Sequence, residues 1–318
     1  MQFTDIVFAL FMVVFFCVYW FVFRNKLKLQ NLWLLCASYV FYGWWDWRFL
    51  ILIILTSFST YSTAILFDRY RKNYFICGNI ILNLGILAAF KYFNFFSENI
   101  VRLFSLFGVG LDWFTLDVLL PVGISFYTFQ AIGYSIDVMR GNVTPTHNLV
   151  GFFTYIAFFP QLVAGPIESA RNLLPQILRK RQWNTQRSVD GLRMILFGLL
   201  KKLCVADMLA IYVDRIFFAV DLSPLHVLTG GILFSIQLYC DFSAYSEIAR
   251  GCASLLGIRL MVNFRFPLFS RNILEFWRRW HISLMLWFRD YVYIPLGGNR
   301  KGKWRTIINY TVVFLLSG

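Results

Sequence analysis

The chain has 318 residues, of which 59% are hydrophobic, 20% are aromatic and 14% are charged. A soluble domain carries about 25% charged residues, so this composition excludes an ordinary soluble globular domain and favours a membrane protein. The formal net charge of +14 comes from Lys and Arg in short loops between apolar runs, which favours membrane lipid over nucleic acid as the anionic partner.

Apolar runs in the first third of the chain predict membrane-spanning helices at residues 3–23, 31–45, 49–67 and 74–96. A spanning helix needs about 20 mostly apolar residues, and each run except the second comes close to that length. The first run has no basic leader and no small-residue cleavage site. We therefore expect it to be a retained span rather than a signal peptide.

The rest of the chain is less regular. Residues 118–136 and 149–164 are apolar but contain Pro and Gly, residues 191–213 are amphipathic, and residues 225–239 run into a polar stretch. Between Asn263 and Arg305, apolar and basic residues alternate without a clean span. We expect roughly six to nine crossings. Residues 1–318 are expected to form one domain, because no linker or internal repeat interrupts the chain.

Basic loops orient the predicted spans. Residues 24–28 and 69–72 carry Lys and Arg, and the positive-inside rule predicts that both loops are cytoplasmic. The basic residues from Arg171 to Arg187 are expected there too, which requires that one of the runs 118–136 and 149–164 does not cross as a simple helix. We therefore predict a broken or re-entrant helix, which is tolerated at membrane depth only where protein or water covers it.

The C-terminal third carries the most specific sequence patterns. Residues 239–246 read YCDFSAYS, residues 275–283 read EFWRRWHIS, and residues 287–300 read WFRDYVYIPLGGNR. Earlier segments of the same kind are PVGISF at 121–126, FPQLVAGPI at 159–167 and GLLKK at 198–202. These patterns are similar to those of the membrane-bound O-acyltransferase family. The similarity is to its bacterial alginate O-acetyltransferase branch in particular, and it runs from about residue 32 to the last residue.

The resemblance implies an all-α, polytopic, funnel-shaped fold of transmembrane and re-entrant helices in the cell inner membrane. It implies an O-acyltransferase, with acetyl as the expected group. The co-substrate would be a cytoplasmic thioester, either acyl-CoA or an acyl carrier protein, and no bound cofactor is expected. The acceptor would be an exported, alginate-like polysaccharide, reached directly or through a periplasmic acyltransferase partner.

His281 is the candidate catalytic residue. From its spacing alone, a histidine flanked by tryptophans and arginines is more often an interfacial anchor, although imidazole suits attack by a hydroxyl on a thioester near neutral pH. In the family, one histidine marks this segment, and a second one, usually assigned as catalytic, follows in an SGLWHGA segment. The chain stops at Ser317 and Gly318, where that segment would begin. We therefore expect a C-terminally truncated chain that is inactive by itself, with His281 orienting or polarising the reactants.

Other polar residues in these patterns are candidates for lining the reaction chamber. Asp241 and Asp290 are costly to bury unpaired, so each either faces the chamber or pairs with an Arg. Gln161 lies in a Pro-Gln segment that breaks helical geometry, and Asn263 either lines the chamber or caps a turn. The candidate donor-binding cations, which could instead be interfacial anchors, are Arg278, Arg279, Lys301 and Lys303.

Two other functions stay open from the sequence. A transporter or channel would also contain broken helices, but its substrate pathway usually places charges in several spans, and the first three predicted spans here are nearly charge-free. An inactive fragment or regulatory partner would lack the second histidine. No metal site is predicted, because His147, His226 and His281 share no helical spacing and the six cysteines are scattered.

Overall fold

The computed structural model describes residues 1–108, 121–163, 165–219 and 223–317. Every regular element in these ranges is a helix, so the predicted all-α class is confirmed. The first half contains α1 (Ile6–Cys17), α2 (Leu27–Gly43), α3 (Phe49–Tyr70), α4 (Asn73–Leu106) and α5 (Ile124–Met139). A π-helical segment, Val18–Val22, extends α1.

The second half mixes short and long helices. They are α6 (Leu149–Ala157), α7 (Phe159–Leu162), α8 (Ala170–Leu178), α9 (Thr185–Leu200), α10 (Asp207–Phe217), α11 (Pro224–Leu255), α12 (Ile273–Arg279), α13 (Ile282–Phe288) and α14 (Lys303–Ser317). One π-helical segment, Lys201–Ala206, joins α9 to α10, and another, Arg289–Tyr293, extends α13. A 3-10 turn at Pro267–Phe269 precedes α12.

Three helices in the described ranges are long and apolar enough to cross a membrane: Phe49–Tyr70, Asn73–Phe95 and Pro224–Leu255. Two shorter apolar helices are Ile6–Val22 and Leu149–Leu162. The predicted span at 225–239 was too short, because α11 continues for 32 residues through its polar half. At about 1.5 Å per residue, α11 is longer than the ~30 Å hydrocarbon core, so it tilts or extends beyond it.

The apolar run that begins at Leu149 is a broken helix, which confirms the prediction of a break in this region. Phe158 has a non-helical ψ of 104° between α6 and α7, and Pro160 lies in the first turn of α7. Residues 118–120 and 164 of the two predicted runs lie outside the described ranges. Gly123 starts α5 with a φ of +77°, and a Cβ there would lie 2.2 Å from the carbonyl oxygen of Leu162. Glycine therefore lets α5 begin against the broken helix.

Glycines also bring α9 and α11 together. A Cβ on Gly251 would lie 2.6 Å from the carbonyl oxygen of Gly191, and one on Gly198 would lie 2.9 Å from that of Ala244. Small residues let helix backbones approach closely in lipid, where no hydrophobic effect drives helices together. The α9–α11 pair therefore forms one closely packed wall, in which α11 carries the pattern at residues 239–246.

One residue of the basic loop between α8 and α9 is not a free loop cation. Arg181 is buried, and its guanidinium donates to the side-chain oxygens of Gln30 and Asn31 and lies 5.4 Å from the ring centroid of Tyr19. The Tyr19 hydroxyl donates in turn to the carbonyl of Leu256 at 3.0 Å. This chain of contacts ties α1 and α2 to the end of α11.

Candidate active site

His281 lies in a tight turn between α12 and α13. Its backbone is left-handed, with φ 43° and ψ 54°, a conformation that is uncommon for residues other than glycine. Asn263 holds the turn through its backbone and its side chain: its carbonyl accepts from the Ile282 N–H at 2.9 Å, and its Oδ1 accepts from the Ser283 N–H at 3.1 Å. The Ser283 hydroxyl accepts from the Ile167 N–H at 3.0 Å. The turn that contains His281 is therefore fixed by two neighbouring segments, those of Asn263 and Ile167.

Aromatic rings surround the His281 imidazole. The Phe242 ring lies edge-on, with its centroid 4.8 Å from that of His281, and Phe264 and Phe126 follow at 6.2 and 6.4 Å. The side chain is 7% exposed, and its Nδ1 has no hydrogen-bond partner among the described residues. His281 lies between helices and outside the candidate spans, and burial lowers its pKa to about 4. The imidazole is therefore neutral at physiological pH and can accept a hydrogen bond.

A cavity of about 130 Å³ lies beside the same turn and is lined in part by Ser283. Its other polar lining residues include Gln130, Glu168 and Tyr291, and Trp287 forms part of its apolar wall. Trp287 is held in place by a 2.8 Å hydrogen bond from its Nε1 to the carbonyl of Phe129. The cavity and His281 therefore share the turn that Asn263 and Ser283 organise.

Gln161 lies one layer behind this cavity. It is buried, and its Nε2 donates to Oε1 of Gln130 at 2.7 Å and to the carbonyl of Tyr155 at 3.4 Å. Gln130, which lines the cavity, donates to the same Tyr155 carbonyl at 2.7 Å. Gln161 therefore supports Gln130 and does not line the cavity itself. Asn263 likewise does not line the cavity but holds the turn that contains His281.

The two candidate aspartates have different environments. Asp290 is partly exposed, lines the cavity, and pairs with Arg289 at 2.7 Å. Asp241 pairs with a lysine rather than an arginine: Oδ1 lies 2.7 Å from Nζ of Lys202. Lys202 also pairs with Asp207 at 2.6 Å, so one cation is shared by two carboxylates.

The four candidate donor-binding cations are not equally available. Arg279 pairs with Glu275 at 2.5 Å, and its carbonyl accepts from the backbone N–H of Arg265. The other three side chains are exposed, namely Arg278, Lys301 and Lys303. Arg279 is therefore engaged in holding α12, and the three exposed cations are free to contact an anionic partner.

The sequence reasoning missed a charged cluster beside the cavity. Asp137 is fully buried, and both of its oxygens accept from Arg171, at 2.5 and 3.1 Å. The Tyr291 hydroxyl, on the cavity wall, donates to Asp137 at 2.9 Å. Glu168 was also missed: it is buried, lines the cavity, and accepts from the Met261 N–H and from Asn172. A lone carboxylate in an apolar run such as 124–139 is the signal that could have identified Asp137.

Comparison with known proteins agrees with the resemblance in the C-terminal patterns. Residues 143–318 match the sequence profile of the membrane-bound O-acyltransferase family. The chain is 38% identical over 325 residues to a probable alginate O-acetylase of Pseudomonas aeruginosa, which covers all of this chain and 61% of that protein. It is 34% identical over 320 residues to a peptidoglycan O-acetyltransferase of Helicobacter pylori, covering 91% of this chain and 60% of that protein.

A third relative is more distant. A teichoic acid D-alanyltransferase of Bacillus subtilis is 30% identical over 217 residues, which cover 62% of this chain and 52% of that protein. The chain spans between 57% and 66% of the length of the alginate O-acetylases that it matches. The family profile covers more than half of the chain, including the His281 turn and the part of the cavity lining that follows residue 143. The protein therefore belongs to the membrane-bound O-acyltransferase family.

Proposed function

We propose that this chain contains the reaction centre of a membrane O-acetyltransferase that acts on an exported, alginate-like polysaccharide. The observation that carries the proposal is the fixed, shielded and neutral His281, in a chain that is 36–41% identical to probable alginate O-acetylases. The same relatives favour an acyltransferase over a transporter. The multi-pass arrangement and the inner-membrane location belong to the same proposal.

The reaction that suits this site is acyl transfer from a thioester to a hydroxyl. The hydroxyl oxygen forms a bond to the thioester carbonyl carbon, the carbon–sulfur bond breaks, and the proton of the hydroxyl passes to a base while the thiolate takes up a proton. A neutral imidazole can accept a hydrogen bond from the attacking hydroxyl and orient it. The aromatic rings around His281 exclude water, which would otherwise compete as the acceptor.

We propose that the acyl donor is a cytoplasmic thioester, carried by coenzyme A or by an acyl carrier protein. Both carriers are anionic, and the exposed cations Arg278, Lys301 and Lys303 could attract either by long-range electrostatics. The acceptor side would face the exported polymer, directly or through a periplasmic acyltransferase. In this arrangement the acyl group moves through the protein while donor and acceptor stay on opposite faces of the membrane.

Substitution of His281 tests the proposal. In the protein as the cell makes it, His281→Ala is expected to lower transfer of labelled acetyl groups to polysaccharide by about 10²–10⁴-fold, because an acid–base or orienting group is lost. His281→Asn tests the same loss with a residue that tolerates the left-handed backbone. Membrane fractionation and detergent thermal stability report whether each variant inserts and folds.

His226→Ala is the matched control, since His226 is exposed in the first turn of α11. It is expected to leave acetyl transfer unchanged. Normal polysaccharide acetylation in well-folded His281→Asn protein would remove His281 from the reaction and return it to the role of an interfacial anchor.

A further inference from the structure

A second and larger cleft lies outside the site described above. It has a volume of about 460 Å³, within the ~300–1,000 Å³ typical of small-molecule sites. It opens between the first turns of α9, the last turns of α11 and the segment that follows α11, residues 258–260. Neither His281 nor the exposed cations near α14 line it.

The lining of this cleft is strongly cationic. Three arginines line it, Arg187, Arg250 and Arg259, against a single acidic residue, Asp190. Asp190 is itself engaged, because it lies 3.4 Å from Arg193 and accepts from Gln186 at 3.2 Å. The cleft therefore carries an excess of positive charge on arginine side chains. The planar guanidinium group of arginine matches the geometry of phosphate oxygens.

The arginines are held by the packing of α9 against α11. The Ser254 hydroxyl donates to the carbonyl of Arg187 at 3.0 Å, and Arg187 Nη1 donates to the carbonyl of Gly257 at 3.0 Å. The Nε groups of Arg187 and Arg250 are buried and have no hydrogen-bond partner among the described residues. These two guanidinium groups therefore keep donor capacity beside the cleft that an anionic acceptor would use.

We propose that this cleft binds the phosphate group of an anionic ligand. Two ligands in a membrane acyltransferase carry phosphate: the phosphopantetheine arm of a thioester donor, and the headgroup of an anionic lipid. The first source rests on the proposed function, whereas the second does not. The bidentate geometry of arginine and the preorganised backbone favour a phosphate over a carboxylate-bearing peptide, which would need a longer groove.

The cleft is also coupled to the cavity beside His281. Burial raises the pKa of Glu168 to about 7, and the positive charge of Arg250 is among the influences that oppose this rise. Glu168 lines the cavity beside His281 and Arg250 lines the cleft, so the two charges interact electrostatically across the segment that contains Met261. A phosphate that draws on the charge of Arg250 would favour the protonated form of Glu168.

The experiment compares two probes that differ only in a phosphate, 4′-phosphopantetheine and pantetheine. Binding of each is measured by calorimetry to the full protein in phosphatidylcholine nanodiscs. We expect 4′-phosphopantetheine to bind at least about tenfold more tightly than pantetheine, the scale of one charge-assisted hydrogen bond. Arg187→Gln and Arg250→Gln should remove this preference. Arg259→Gln should weaken it without disturbing the fold, because Arg259 is exposed and only its backbone is hydrogen-bonded.

The control is Arg179→Gln, which removes one exposed charge from the same basic stretch but does not line the cleft. It should keep the phosphate preference. A parallel measurement by native mass spectrometry counts phosphatidylglycerol molecules retained by each variant. Arginine-dependent retention of phosphatidylglycerol, without a preference for the soluble phosphate probe, would support the phosphate site and identify the lipid headgroup as its ligand.

The proposal is overturned if neither the soluble probe nor the lipid depends on Arg187, Arg250 or Arg259. The result is independent of catalysis, since binding is measured without an acceptor and His281→Asn should retain it. Loss of acetyl transfer in His281→Asn with unchanged phosphate preference would therefore support both proposals separately. Retained transfer in that variant would overturn the proposed role of His281 and leave the cleft untouched.

Discussion

Glu168 illustrates how a single residue sets the chemistry of the inner cavity. Glu168 is 1% exposed, and within the described part of the chain its carboxyl group meets the Met261 N–H, the Asn172 amide and the nearby charge of Arg250. Desolvation outweighs these contacts and raises its pKa to about 7, from an ordinary value of 4.5. Its charge therefore changes within the physiological range, unlike that of a solvent-exposed carboxylate.

Glu168→Gln tests this assignment through the pH dependence of stability. Because the pKa of Glu168 is raised in the folded state, its protonated form contributes to the stability of the fold. This contribution is full below about pH 4.5 and is lost as the pH rises through about 7. Between pH 5 and 8 the wild-type protein should lose stability relative to the variant by on the order of 2 kcal/mol. Thermal unfolding in detergent, followed by tryptophan fluorescence at both pH values, measures the difference.

Glu98→Gln, at an exposed glutamate of α4, is the matched control. Its melting temperature should follow that of the wild-type protein across the same pH range. Parallel curves for the wild type and Glu168→Gln would mean that Glu168 keeps one protonation state in this window.

At the scale of single residues, the sequence patterns predicted where the candidate site lies better than they predicted the role of each residue in it. The patterns around His281, Asn263 and Asp290 do converge on one turn and one cavity. The roles of Asp137 and Glu168 could not be predicted, since they depend on partners more than 30 residues away, such as Arg171 and Met261. No local pattern encodes which distant cation will meet a buried carboxylate.

The α9–α11 contact can be tested at the scale of the helix. Gly251→Ala would place a Cβ 2.6 Å from both the Gly191 carbonyl oxygen and Cγ1 of Ile195. Overpacking of this kind costs about 1–3 kcal/mol, so we expect a lower melting temperature and a disturbed cationic cleft. Gly231→Ala, in the same helix, meets nothing within 4 Å and should be neutral or stabilising.

If Gly251→Ala melts like Gly231→Ala, the close approach of the two helices is not needed for stability. The comparison is sharp because both substitutions add the same methyl group to the same helix. Intrinsic helix propensity should favour both changes equally, so any difference between them reports the packing alone.

Hydropathy located helices better than it located their ends. The apolar runs at 49–67 and 74–96 correspond to α3 and α4, but α4 and α11 extend well past the predicted runs. The polar half of α11 stays helical because Asp241 and Glu247 find cations on the neighbouring helical segment. A window of mean hydropathy cannot register such pairing, since the partners are more than 30 residues apart in the chain.

Topology is the prediction that belongs to the whole molecule. The loops at residues 24–28 and 69–72 should be cytoplasmic, because short basic loops stay on that side. With the six native cysteines replaced, a single cysteine at Asn25 or Lys72 should resist a membrane-impermeant maleimide applied to intact cells. The same cysteines should react after the cells are opened.

A cysteine at Glu98, near the end of α4, serves as the opposite-side control and should react in intact cells. Labelling of Asn25→Cys or Lys72→Cys from outside would reverse the orientation of the first four helices. The donor would then be expected on the other face, and the proposed direction of acyl transfer would be wrong.

The ion pairs of the α9–α11 wall have a consequence for how the protein is made. Lys201 and Lys202 precede α10, and two of their partners, Glu247 and Asp241, lie on α11, which is synthesised later. On its own, α11 would carry two unpaired carboxylates into the bilayer, whereas beside the earlier segment each of them lies against a lysine. Synthesis from the N-terminus thus places Lys201 and Lys202 before the acidic helix. Membrane integration of α11 then depends on the segment that carries these two lysines being already in place.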